Sequence, residues 1–130
     1  MGRSQRDKGA NAEREVAKIL ESFGFPARRG QVFNGEPDIV CPTLPIHFEV
    51  KRHETLEIPA WFQQSQTQCR GNVPAVVYRQ SYKPWMITMK AGDFLAGTTG
   101  WHVTSSDGLI YMKFEDFLKI LKEVNNFDTV

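Results

Sequence analysis

A chain of 130 residues has the length of one ordinary domain and can bury a hydrophobic core without disulfide staples. At 41% hydrophobic and 24% charged it is too apolar for a disordered tail, and its apolar runs stop well short of the ~20 residues that span a bilayer. The net charge of +1 hides an uneven spread: Arg3, Arg6, Lys8, Arg14, Lys18, Arg28 and Arg29 gather in residues 1–31, whereas residues 32–50 hold Glu36, Asp38 and Glu49 with no Lys or Arg.

The segment Gly2 to Asn11 is polar and lacks the apolar centre of a secretory signal. Cys41 and Cys69 form no CxxC pair and have no histidine at zinc-finger spacing, so they read as free thiols of a reducing compartment. The expectation is a soluble, cytoplasmic protein of one domain, residues 1–130, without a membrane partner. Asn11 reads as the N-cap of a first helix, in which Ala12, Val16, Ile19, Leu20 and Phe23 follow helical spacing until Gly24 and Pro26 stop it. A turn-rich stretch from Arg28 to Pro37 leads into the short apolar strand Asp38-Ile39-Val40-Cys41, and Pro42 to Pro45 turns the chain back.

Ile46 to Lys51 alternates at period two, with Ile46, Phe48 and Val50 on one side and His47, Glu49 and Lys51 on the other. A helix from about Pro59 to Cys69 ends at Gly71-Asn72, and strand-like runs follow at Ala75 to Tyr78 and Trp85 to Met89. Ala91 to Leu95 and Phe114 to Val124 read as later helices, while Trp61, Phe62 and Trp85 read as core. The pattern is α/β: a central mixed β-sheet flanked by helices, in the order helix, hairpin, helix, strand, strand.

A hairpin closed at Pro42 to Pro45 brings Asp38 near the level of Glu49 and Lys51, so that two carboxylates and an ammonium converge. Hydrolysing a phosphodiester requires an activated water, charge neutralisation and a stabilised leaving oxygen, and a divalent cation held by carboxylates supplies all three. Mg²⁺ suits such a site because it takes one or two carboxylates and keeps waters and phosphate oxygens in its remaining positions, and Lys51 adds a compact positive charge. The same residues would also serve as an exposed Glu49–Lys51 strand pair with Asp38 capping a turn. His47 shares the face, but a histidine without a second at ligand spacing reads as a neighbour of a metal and not a ligand.

Pro37-Asp38 followed by Glu49-Val50-Lys51 resembles the PD and ExK elements of the PD-(D/E)xK nuclease superfamily. Lys8-Gly9-Ala10-Asn11-Ala12-Glu13-Arg14-Glu15 resembles the K-G-x-x-A-E-R-E helix of archaeal-type Holliday junction resolvases and their phage relatives. The likeness runs from about Lys8 to Met89 and leaves residues 91–130 as an unmatched C-terminal extension. It implies a restriction-endonuclease-like core and a metal-dependent endonuclease acting on branched DNA as a homodimer. Asp38, Glu49 and the Val50 carbonyl would be ligands to Mg²⁺, with Mn²⁺ as a substitute, and Lys51 the catalytic lysine. Glu13 would be the extra acidic residue near the metal, although it serves equally well as a favourable charge at a helix N-terminus. Glu15, able to pair with Lys18, points further outward. Of Gln63, Gln64, Gln66 and Gln68, Gln64 is chosen as the glutamine that supports the site.

Arg28 and Arg29, on a turn before the metal site, are candidate phosphate contacts together with Lys8, Arg79 and Lys83. The loop lacks the serine or threonine expected between Arg29 and Asp38 and has Gln31 and Asn34 instead. Two other readings stay open: a duplex nuclease of restriction or repair type, and a DNA-binding module without turnover.

Overall fold

In the first helix, α1 (Arg3–Ser22), Ala12, Val16 and Leu20 are spaced by four and form a buried stripe. A computed structural model describes the protein over residues 3–100 and 108–128. The helix starts well before the expected Asn11 cap. Gly9 is the one residue there that opposes helix, and ~1 kcal/mol relative to alanine does not end it. Asn11 lies inside the helix, where its Oδ1 accepts from Arg14 at 2.9 Å. The C-terminus falls where Gly24 predicts. Phe25 N donates to the Leu20 carbonyl at 3.0 Å and Gly24 N to Glu21 at 2.9 Å, with Gly24 in the left-handed region at φ 88° and Phe25 tucked into the core.

Residues Arg28–Arg29, read as turn, form a short strand, β1, antiparallel to β2 (Ile39–Val40). A 3₁₀ turn over Val32–Asn34 connects them. β3 (Ile46–Arg52) returns antiparallel to β2 with Ile39 opposite Phe48, which is the expected hairpin. Helix α2 (Ile58–Gln68) is the crossover to β4 (Val73–Arg79), which lies parallel to β3 with Glu49 beside Val76 and Lys51 beside Tyr78. β5 (Met86–Lys90) follows antiparallel, and α3 (Ala91–Thr99) extends beyond the expected Leu95. A sixth strand absent from the sequence reading, β6 (Leu109–Lys113), pairs with β5 ahead of α4 (Phe114–Asp128).

The result is one mixed sheet in the order β1-β2-β3-β4-β5-β6, with β3–β4 as its parallel pair. Against one face pack α1 and α4: Val16 and Leu20 share a core with Phe48, Val77, Phe114, Phe117 and Leu118, and Phe48 meets Phe114 edge-on at 6.3 Å. Against the other face, α2 buries Trp61 and Phe62 on Val76 and Tyr78. The C-terminal third, unmatched in the resemblance, therefore contributes to the same core that carries β3.

Candidate active site

The β2–β3 register decides where the two carboxylates stand. Asp38 directly precedes β2, and continuing the Ile39–Phe48 pairing by one residue sets it opposite Glu49. Its Oδ2 accepts a hydrogen bond from the Val50 amide at 2.8 Å, which pins the side chain across the end of the strand pair. A strand residue presents its N–H and C=O to the same neighbour, so the Val50 carbonyl leaves β3 on the Asp38 side. On the same face as Asp38, and away from Phe48, His47 and Glu49 are 5% and 6% exposed, and His47 Nε2 lies 2.7 Å from Glu49 Oε1.

The electrostatics follow from this burial. Desolvation, then a hydrogen bond and charge repulsion from Glu49, raise the Asp38 carboxyl to about 8, opposed by the Val50 amide. Burial pushes Glu49 the same way but is outweighed by hydrogen bonds from His47 and Asp38 and by the charges of His47 and Lys51, so Glu49 is lowered. Asp38 is thus driven towards its neutral form and Glu49 towards its ionised form, and an ionised Glu49 accepts from a protonated His47 Nε2. Lys51 and Glu13 are near enough to act electrostatically, Lys51 on Glu49 and Glu13 on Asp38.

Two hard oxygen donors facing each other, Glu49 buried and Asp38 half-buried with its carboxyl driven towards the neutral form, suit a divalent cation, which would displace a proton from Asp38. Among the described residues no group of three His, Cys, Asp or Glu side chains is arranged to hold a metal. A cation at this pair would have to complete its shell with backbone oxygen and water, which is the habit of Mg²⁺.

A groove of about 400 Å³ opens beside the pair, lined by Asp38, His47, Glu49, Gln64, Gln68 and Arg70 among others. Of the four candidate glutamines, Gln64 and Gln68 line it and Gln63 and Gln66 do not. The basic candidates are differently placed. Arg28 forks onto Glu36 with contacts of 3.0 and 2.7 Å, holding that carboxyl down at about 2, and Arg29 Nε meets Glu13 Oε1 at 2.9 Å. Arg79 meets Glu15 Oε1 at 2.7 Å and lies over the Trp85 ring, whose Nε1 donates to the same oxygen at 3.2 Å. Glu15 is thus tied to β4 and to the segment before β5, and the expected Lys18 pairing gives way to a contact 64 residues away in sequence. Lys8 and Lys83 are exposed.

Sequence reasoning read His47 as a neighbour of the site without giving it a partner, and passed over Arg70. The histidine shares the Glu49 face at a spacing of two, which was its signal; Arg70 follows a helix end in an ordinary polar stretch and gave none.

No helix among the described residues is long and apolar enough to cross a membrane. No curated protein matches the chain. Among solved structures it is similar to the Holliday junction resolvase Hjc of Archaeoglobus fulgidus, at 23% identity over 58% of this chain and 70% of that one, with a TM-score of 0.43. The family model described as "Phage putative PDDEXK endonuclease" matches residues 4–120, nearly the whole chain and both halves of the carboxylate hairpin. The chain belongs to that phage PDDEXK endonuclease family.

Proposed function

We propose that the protein is a metal-dependent endodeoxyribonuclease that hydrolyses phosphodiester bonds in branched DNA, in the manner of a Holliday junction resolvase. The Asp38–Glu49 pair, half-buried and buried respectively, with Lys51 acting on it, carries this reading, because a fold has no structural need for two facing carboxylates withdrawn from water. In it, Asp38, Glu49 and the Val50 carbonyl hold Mg²⁺, or Mn²⁺ in its place. When bound, the cation supplies water activation and neutralises charge on the phosphate.

The rest is done by the chain itself. His47 fixes one oxygen of Glu49 and so aims the other, and the Val50 amide does the same for Asp38. Lys51 offers a positive charge to the scissile phosphate or its attacking water. Gln64, on the wall of the groove, orients a polar partner, and Glu13 sets the local charge from α1. Lys8, Arg28, Arg29, Arg79 and Lys83 are the candidate phosphate contacts; the three arginines would exchange a carboxylate for a phosphate to act.

The Lys8 to Glu15 motif supports branched DNA as substrate. A four-way junction needs two matched cuts, which a two-fold homodimer provides. The reaction takes place in the cytoplasm, the host's for a phage-encoded chain, where Cys41 and Cys69 stay as free thiols.

The test is incubation of the protein with four-way junction, flap and linear duplex DNA, in Mg²⁺ or EDTA. Paired, Mg²⁺-dependent nicks on the junction and little cutting of linear duplex are expected. Asp38→Asn and Lys51→Ala should lose cutting and keep binding. Equal cutting of linear and branched DNA would favour a duplex nuclease, and full activity of Asp38→Asn would overturn the mechanism.

A further inference from the structure

The loop between β1 and β2 turns its most apolar side chains to water: Val32 is 86% and Phe33 102% exposed. The backbone beneath them is tied down. Asn34 N donates to Gln31 O and Gly35 N to Val32 O, each at 3.0 Å, and Gln31 N donates to Glu36 Oε1 at 2.9 Å. Arg28 clamps Glu36 from the strand side. At the neck, Gly30 N donates to the Asp38 carbonyl at 2.9 Å, and a Cβ on Gly30 would fall 1.6 Å from the Pro37 oxygen, so the closure requires glycine. The loop is thus built to hold Phe33 outward while Val32, Gly35 and Glu36 line the catalytic groove.

Across that groove stands Arg70, held at φ 49° just after α2. Its Nη2 lies 2.9 Å from where a Gly35 Cβ would be, so the guanidinium rests against the loop itself. Arg28, Arg29 and Arg79 each hold a carboxylate, whereas Arg70 makes no ion pair or hydrogen bond among the described residues. An uncommitted guanidinium on the wall of the groove that holds the two carboxylates, and a fully presented aromatic ring at the tip of the loop that forms another part of that wall, match the two halves of a nucleotide: phosphate and base.

We propose that Phe33 and Arg70 form a nucleotide subsite. The Phe33 ring stacks on a base that has left its duplex stack, and Arg70 grips a phosphate of the same strand beside Asp38 and Glu49. The inference rests on the nuclease reading and deepens it: the subsite selects DNA with an unstacked base, which branched DNA offers at its branch point and continuous duplex does not.

The test is binding of the full chain, in EDTA, to flap DNA carrying 2-aminopurine unpaired at the branch and to linear duplex of the same sequence. The parent should quench the fluorophore on binding, as stacking does. Phe33→Ala should remove the quench and lower the preference for branched over linear DNA about tenfold, and Phe33→Trp should restore both. Arg70→Ala should reduce the slope of log affinity against log salt by about one, with Arg70→Lys retaining it. Thermal denaturation checks that each variant is folded. An unchanged quench and preference in folded Phe33→Ala overturns the subsite, and leaves a protein partner as the occupant of this loop tip. Absence of metal-dependent cutting by the parent, with the quench intact, defeats the nuclease reading alone; no binding to either DNA defeats both.

Discussion

Both faces of strand β3 are buried, with opposite chemistry. Phe48 and Val50 face α1 and α4 in a dry core, Phe48 being wholly inaccessible. Their neighbours His47 and Glu49 are almost as deeply buried on the other face, yet carry ionisable groups. The apolar face contributes stability in proportion to the area it removes from water, whereas the ionisable face opposes folding, because Asp38 must be desolvated next to Glu49. Equal burial therefore does not mean equal contribution, and the difference marks the candidate site.

The comparison is best broken by exchanging one residue from each face. Glu49→Gln should lower cleavage by at least about 10³-fold, ~4 kcal/mol of barrier, while circular dichroism shows a folded protein. Activity within tenfold of the parent would remove the carboxylate face from catalysis. Phe48→Ala should do the reverse and cost ~3–4 kcal/mol of stability in urea denaturation, through the cavity left against Phe114. A loss below about 1 kcal/mol would mean the core is looser than its burial indicates.

Two smaller effects sharpen the contrast. His47→Ala should weaken the apparent cation affinity by ~10–100-fold, read from the Mg²⁺ dependence of cleavage, with His47→Gln recovering part of it. No change in Mg²⁺ dependence would make the 2.7 Å contact incidental.

The pH dependence is the subtlest. The Asp38 carboxyl is raised from 3.8 to about 8 in the folded protein, so between those values the folded state holds a proton that the unfolded chain releases. Its contribution is intact below about 4 and is lost as pH rises through about 8. In metal-free protein the thermal midpoint of the parent should therefore fall behind that of Asp38→Asn by a few degrees over this window, and Mg²⁺ should close the gap. A difference that does not vary with pH would show that Asp38 titrates normally.

Much of this was legible in the residues. Period four in α1, period two in β3 and the Pro42–Pro45 turn suffice for the hairpin, because register follows once one face of a strand must be buried. Those same patterns set Asp38 opposite Glu49 with Lys51 on the same strand, while the roles proposed for them come from the resemblance. What escaped is what depends on distant partners or too few residues. β1 is two residues long, too short for a period, and β6 runs straight into α4 with no turn residue between them. The pairing of Glu15 with Arg79 and the burial of His47 arise only when the sheet is assembled, and no local spacing encodes them.

Each strand of the sheet pairs with its predecessor in the chain, which has a consequence for assembly on the ribosome. Ladders between successive segments need only short closures, and a domain made N-terminus first can add them one by one. The hairpin that unites Asp38 with Glu49 is among the first to emerge, whereas Phe114, the ring that seals the reverse side of that hairpin, comes from the last helix. The segments that carry the carboxylates thus emerge early, and the ring that backs them arrives only when synthesis reaches the last helix.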